Sequence, residues 1–246
     1  MWISLCSGQI RIIFMAAMAD PDQKVPVAPP SDVEAFLAKV RAAPVAAPGK
    51  RGRLVFAMDA TMSRQPAWDR ALSIQASMFD ETARIGQLDV QLVYFRGFDE
   101  CRASRWTSDA RSLGRLMTGI DCRGGNTQLL RVLKHIRSEA IRGRVNAAVF
   151  IGDAMEEGID AVSNAAGEVG LLGVPVFMFQ EGRDPVAEAA FRGVARLTRG
   201  AYFRFGSDAA RLLRELLTAV AVYAAGGRAA LASQGGTGAL LLEQMK

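Results

Sequence analysis

Cysteine is scarce in this 246-residue chain: Cys6, Cys101 and Cys122 are too few, and odd in number, to frame a disulfide scaffold. They read as reduced thiols of a cytosolic protein, so the expected location is cytoplasmic. Histidine occurs once, at His135, so no Cys/His cluster is available for zinc. Lysine is confined to Lys24, Lys39, Lys50, Lys134 and Lys246, and the net charge of +5 (30 basic minus 25 acidic residues) is carried by arginine. No run of five basic residues occurs and aromatics do not alternate with the arginines. The expectation is a solvated, arginine-dotted surface, not a nucleic-acid binder. A membrane span needs about 20 consecutive apolar residues. The longest candidate, Ile10–Met18, is short and interrupted by Arg11, so no membrane association is expected. With 50% hydrophobic and 22% charged residues, global disorder is excluded.

Four regions follow from composition. Residues 1–30 form an N-terminal arm, proline-rich over Pro21–Pro30 and expected to be disordered. The apolar stretch after Arg11 resembles a short signal-peptide core, at the low edge of length for one; the preferred alternative is translation starting at Met15 or Met18. Residues 31–52 hold a short amphipathic helix with a linker. Ser31 caps it, Glu34 follows three residues on, Ala35–Ala42 supplies the turns, and Ala43–Gly52 is rich in Pro, Ala and Gly. Residues 53–225 form the main domain, and 226–246 a flexible tail, glycine-rich over Gly226–Gly238, in which Leu240–Met245 could form one turn.

Within the domain, strand and helix patterns alternate. Leu54–Met58 is continuously apolar, as a strand buried on both faces requires. Further strands are predicted at Leu88–Phe95, Glu100–Trp106, Ala147–Ile151, Val174–Phe179 and Ala201–Arg204. Helices are predicted at Pro66–Ile85, Ser108–Met117, Gln128–Arg142, Ile159–Val169, Pro185–Thr198 and Ala209–Tyr223. Such alternation implies a doubly wound, Rossmann-like α/β fold: a mostly parallel six-stranded sheet with helices on both faces. The polar third strand follows the second after only Gly97–Asp99, too few residues for a parallel crossover. It must therefore be an antiparallel edge strand.

Ligands of such sheets bind beyond the carboxyl ends of the strands. Asp59-Ala60-Thr61-Met62-Ser63 follows the first strand, Gly152-Asp153 follows the strand at Ala147–Ile151, and Arg123-Gly124-Gly125-Asn126-Thr127 precedes a helix. Together they offer two carboxylates and three hydroxyls, hard oxygens suited to Mg²⁺ or Mn²⁺. Alternate residues of an extended loop point one way, so Asp59, Thr61 and Ser63 can share one ion. Gly124-Gly125 allows a close approach without a Cβ clash and delivers Thr127 to the site.

These pieces resemble von Willebrand factor type A (VWA) domains, whose metal-ion-dependent adhesion site carries Asp-x-Ser/Thr-x-Ser, a distant Thr and a distant Asp. The resemblance spans about Arg53–Tyr223 and points to a bacterial, intracellular type. It implies that Thr61 and Ser63 ligate the ion directly, that Thr127 does so directly or through water, and that Asp59 and Asp153 hold ligated waters. It further implies a non-catalytic interaction module whose ion docks an acidic side chain of a partner protein, in some relatives within multi-protein, ATPase-linked machines.

Taken singly, each piece has a plainer reading: an Asx or Ser/Thr turn at Asp59-x-Thr61-x-Ser63, Thr127 or Asn126 as a helix N-cap, Asp153 in a capped loop. His135 reads as a surface or half-buried helix residue, and Met58, Met62 and Met155 as packing. Glu156 and Glu157 read as a solvated acidic loop, and Arg64 as a group that could attract an acidic partner. The alternative function is a haloacid-dehalogenase-like Mg²⁺-dependent phosphohydrolase with Asp59 as nucleophile and Gly152-Asp153 as metal loop. That chemistry needs a carboxylate two residues after the nucleophile, where this chain has Thr61.

Overall fold

Strand β1 (Gly52–Asp59) is apolar on both faces and lies at the centre of the molecule. Leu54, Phe56 and Met58 point into one hydrophobic cluster, Val55 and Ala57 into another, and none of the five is exposed. Period-two alternation between two buried faces makes a strand and demands a helical layer on each side. The computed structural model describes residues 51–61, 69, 88–205 and 210–232. The segments at 1–50, all but residue 69 of the helix expected at Pro66–Ile85, Ser63 with Met62 and Arg64, and the turn expected at Leu240–Met245 lie outside the described residues.

The other strands are β2 (Leu88–Arg96), β3 (Glu100–Ala103), β4 (Ala147–Gly152), β5 (Val176–Glu181) and β6 (Tyr202–Phe205). The described helices are α1 (Ala110–Thr118), α2 (Leu129–Arg142), α3 (Ile159–Leu171), α4 (Pro185–Leu197) and α5 (Ala210–Ala232). The six strands run in the order β3-β2-β1-β4-β5-β6. All neighbours are parallel except β3, which pairs antiparallel with β2. The doubly wound, mostly parallel sheet with one antiparallel edge strand is therefore as the sequence predicts. Helices α2, α3 and α4 cover one face through Leu133, Val162 and Phe191; α1 and α5 cover the other through Leu113, Met117 and Val220.

Two boundaries depart from expectation by three residues or more, the others by one or two. Strand β3 ends at Ala103, three residues before Trp106, because the Ser104 hydroxyl takes the Leu92 N–H (3.0 Å) and donates to the Arg105 carbonyl (2.7 Å). The last helix does not stop at Tyr223 but runs to Ala232, through Gly226 and into the stretch expected to be loose. Tight packing accounts for part of this. A Cβ on Gly52 would come within 2.2 Å of the Ala224 carbonyl oxygen, so the helix backbone lies directly on β1. The surrounding alanines are the strongest helix formers. Among the described residues, no helix is long and apolar enough to cross a membrane.

A polar cluster closes the amino-terminal edge of the sheet. Glu139 of α2 is buried, accepts from Trp106 Nε1 (2.9 Å) and pairs with Arg142 (3.0 Å) and Arg53 (3.4 Å). The Arg53 guanidinium also lies 3.9 Å from the Trp106 ring centre. Burial pushes the Glu139 carboxyl upward, but the bonds from Trp106 and Arg142 and the nearby positive charges outweigh it, and the pKa is lowered. A lowered folded-state pKa means stability that is present above the unfolded value of about 4.3 and lost as pH falls through the folded one. Glu139→Gln is expected to cost about 2 kcal/mol at pH 7 by leaving the arginines short of a counter-charge. Urea unfolding at pH 7 and pH 4 should also show a shallower acid loss in the variant; an unchanged slope would assign that loss elsewhere.

Candidate metal centre

The sheet order reverses between β1 and β4, so chain leaves their carboxyl ends in opposite directions, the place where sheets of this kind form a ligand-binding cleft. Met58 pairs with Ile151, which brings the end of β1, Asp59, level with Gly152 at the end of β4. Asp59 is buried, and its Oδ1 accepts the Thr61 N–H at 2.7 Å. This short-range bond turns the chain as it leaves the strand, the Asx geometry that an Asp favours. Thr61 is buried as well.

The second stretch is stitched to the first by backbone. Arg123 N–H donates to the Ala60 carbonyl (3.0 Å) and Thr61 forms a parallel bridge with Arg123. On its other side the turn leans on the β2–β3 connection, where Asn126 N–H donates to the Gly97 carbonyl (3.1 Å). Here the two glycines part company. A Cβ on Gly125 would lie 2.1 Å from the Gly97 carbonyl oxygen, whereas one on Gly124 would meet nothing within 4 Å. The expectation that both glycines serve a close approach is corrected: Gly125 alone does, and Gly97 (φ +61°) supplies the left-handed turn opposite. Gln128 ties the same contact, its Nε2 donating to the Arg96 (3.2 Å) and Gly97 (3.3 Å) carbonyls. Its buried Oε1 has no partner among the described residues.

The third stretch, after β4, meets the second through Thr127. That buried hydroxyl donates to the Ala154 carbonyl at 3.0 Å, next to half-buried Asp153. The Thr127 N–H donates to Glu156 Oε2 (3.1 Å), and the Leu130 N–H to Glu157 (3.0 Å). Neither Thr127 nor Asn126 caps α2: its N-cap is Gln128, which makes no side-chain cap bond. Glu157 thus satisfies an N–H of this first turn and Glu156 the N–H just before the N-cap, where negative charge is favoured by the helix dipole. The expected solvated acidic loop holds for Glu156, which is exposed, and is corrected for Glu157. Glu157 is half-buried; burial raises its pKa, opposed by the Leu130 and Leu129 N–H groups and reinforced by the Glu156 charge. The pairing bridges 27 residues of sequence, which is why no local pattern marks it.

The structure therefore brings Asp59, Thr61, Thr127 and Asp153 to one cleft, and Ser63 lies outside the described residues. The donor chemistry fits a hard cation. Thr127 spends its proton on a carbonyl and keeps oxygen lone pairs, as a hydroxyl ligand must. Among the described residues, no three His, Cys, Asp or Glu side chains gather into a site of their own, so an ion here would depend on hydroxyls. The lone histidine stays out of the cleft: half-buried His135 bonds Gln91 Oε1 (2.8 Å), and burial lowers its pKa. Met58 and Met155 are buried packing residues. Burial pushes the Cys101 thiol up to about 11, so it is unreactive at neutral pH.

The sequence matches no family model and no curated protein. Solved structures do match. A von Willebrand factor type A protein from Catenulispora acidiphila superposes with a TM-score of 0.55 at 14% identity, over 70% of this chain and 43% of that one. The mussel byssus proximal thread matrix protein 1, in a structure with a zinc-occupied MIDAS motif, gives 0.55 and 14% over 70% of this chain and 46% of that one. The vWF domain of the pili tip protein Mfa5 from Porphyromonas gingivalis gives 0.56 and 11%, over 77% of this chain and 98% of that domain. The chain spans less than half the length of the first two. At these identities the likeness is one of architecture, and the protein has the fold of von Willebrand factor type A domains.

Proposed function

We propose that this protein is a non-catalytic, Mg²⁺-dependent protein-interaction module of the cytoplasm, which docks an acidic side chain of a partner protein, within a larger multi-protein or ATPase-linked assembly. The observation that carries this reading is the convergence of three separated chain segments at the β1/β4 switch point, joined by the Arg123–Ala60, Thr61–Arg123 and Thr127–Ala154 contacts. Support also comes from the mussel protein of the same fold, whose MIDAS motif holds zinc.

In this proposal Thr61, Ser63 and Thr127 hold the ion, and Asp59 and Asp153 hold its waters. Bound there, Mg²⁺ (or Mn²⁺) supplies an electrophilic charge with a position open to a foreign carboxylate. The chain's own part is to fix the oxygens in advance. Asp59 holds the Thr61 backbone, and Glu156 with Glu157 holds the turn that carries Thr127. Thr61 stands where a phosphohydrolase of the haloacid-dehalogenase type would need a carboxylate acid/base, so the site disfavours that chemistry.

Titration calorimetry with Mg²⁺ and Mn²⁺ tests the assignment. Affinity should fall at least tenfold in Asp59→Ala and in the shape-conserving Thr127→Val. Equal affinity in all three proteins would sink the site, and an interaction partner retained in EDTA would place recognition on another surface.

A further inference from the structure

The sheet ends at β3 on one side, and two of that strand's residues turn their backbone polar groups outward. In the β2–β3 register Val93 lies opposite Ala103 and Phe95 opposite Cys101. One step on, the Ser104 N–H donates to the Leu92 carbonyl (2.8 Å), so Leu92 and Ser104 are a hydrogen-bonding pair. Such pairs alternate along an antiparallel ladder, so Arg102 and Glu100 also bond inward, to Tyr94 and Arg96. The Phe95 carbonyl fixes the same phase, because it accepts the Ala60 N–H (2.9 Å) on the β1 side. Cys101 and Ala103 therefore direct their N–H and C=O groups away from the sheet. These groups meet no backbone partner among the described residues, and Ala103 is exposed. An open edge of this kind is a template for one more strand.

The charge around the edge has one sign. From the end of β2 to the start of β4, residues 97–146 hold ten basic and five acidic side chains. Their net +5 equals that of the whole chain, so the other 196 residues, with 20 of each sign, sum to zero. Four of the five carboxylates are already engaged. Asp99 pairs with Arg131, Glu100 with Arg96 (2.9 Å) and Arg102 (3.0 Å), and Glu139 with Arg142, while Asp109 accepts the Ser112 N–H of α1. Exposed Arg105, two residues beyond β3, makes no ion pair among the described residues, and neither do exposed Arg111 of α1 and Lys134 of α2. A second copy of the chain would bring like charge to this edge. A nucleic acid has no strand to pair with open N–H and C=O groups. An extended acidic polypeptide satisfies both the backbone and the charge.

We propose that β3 is a docking edge for an extended, acidic segment of a partner protein, which adds as a seventh strand through the backbone of Cys101 and Ala103. Strand β2 separates this edge from β1 and the metal centre, so the proposal does not rest on metal binding.

NMR titration of the full chain with a decapeptide of alternating glutamate and valine tests this, with the alternating lysine–valine peptide as control. The acidic peptide should shift the Cys101 and Ala103 amide signals and slow their hydrogen exchange at least tenfold. Raising the salt to about 0.5 M should weaken it. Ala103→Pro removes an outward N–H and no bond to β2, a place where edge strands accept proline. It should weaken the acidic peptide at least tenfold while the melting temperature stays within about 3 °C. Arg105→Glu, at an exposed side chain without an ion pair, should weaken the acidic peptide at least threefold and strengthen the basic one. No binding at millimolar peptide, equal binding of the two peptides, or undiminished binding to Ala103→Pro would overturn the proposal. So would tighter binding of a single-stranded oligonucleotide at this edge, or a dimer of the native chain that Ala103→Pro abolishes, because the occupant would then be nucleic acid or a second copy.

Discussion

Gly125→Ala is expected to destabilise the protein by about 2–3 kcal/mol and to disconnect Thr127 from the cleft, whereas Gly124→Ala stays within about 0.5 kcal/mol of the native protein. The two substitutions add the same methyl group to adjacent residues. At Gly125 it would sit 2.1 Å from the Gly97 carbonyl oxygen and 2.3 Å from the Gly97 nitrogen; at Gly124 it meets nothing within 4 Å. The obstacle is backbone on both sides, so no rotamer change can relieve it. The Gly97 turn cannot retreat freely either, being held by Gln128 and by Arg131, which bonds both the carbonyl and the carboxylate of Asp99. Relief must come from moving the 123–127 turn, which strains the Asn126–Gly97 bond (3.1 Å) and the Thr127–Ala154 bond (3.0 Å). Urea unfolding gives the stability difference, and hydrogen exchange at residues 97–99 and 123–130 locates it. If the site is the proposed metal centre, Mg²⁺ affinity falls in Gly125→Ala alone. Equal behaviour of the two variants would mean that the close approach is not what glycine provides here.

Phe150→Ala is expected to cost about 3–5 kcal/mol, lowering the melting temperature by about 10 °C. Phe150 belongs to β4, has no exposed surface, and stacks on Phe95 of β2 (centroids 5.7 Å apart, interplanar angle 12°). Its other side meets the edge of Phe191 of α4 (5.3 Å, 75°). The ring thus joins the sheet to a helix on the face that α2, α3 and α4 cover. Truncation removes its transfer energy and leaves a hole between elements that are themselves tightly held, so collapse can fill little of it. The contrast is Phe98→Ala, where the ring is 77% exposed and the change should stay within about 0.5 kcal/mol. Thermal unfolding of the two variants makes the comparison; a loss below about 1.5 kcal/mol for Phe150→Ala would mean that the core repacks around the gap.

Local information is strong at the strand ends because each of these features is written in a few neighbouring residues. The apolar run Leu54–Met58 could only be a doubly buried strand, and the three residues Gly97–Asp99 are too few for a parallel crossover, so β3 had to be antiparallel. Asp59 and Thr61 are likewise legible, since the Asp59–Thr61 bond closes over two residues. Where sequence patterns misled, a distant contact had intervened. Gly226 suggested a loose end, yet the helix continues past it, anchored by Ala224 against Gly52 more than 170 residues away. Glu157 had the composition of a solvated loop, but it is half-buried against the Leu130 N–H, 27 residues upstream.

The sequence by itself determined the alternation of elements, the antiparallel edge strand, the hard-oxygen character of the donor residues and their position at strand ends, since periodicity, loop length and side-chain chemistry are local properties. Only the tertiary structure decided the strand order β3-β2-β1-β4-β5-β6, the meeting of the three segments at the β1/β4 reversal, the separate roles of Gly124 and Gly125, and the capping of α2 by Glu157. Each of those depends on which backbones come within a few ångströms of one another after folding. Burial of both faces of β1 between two helical layers sets that proximity, and no short stretch of sequence encodes it.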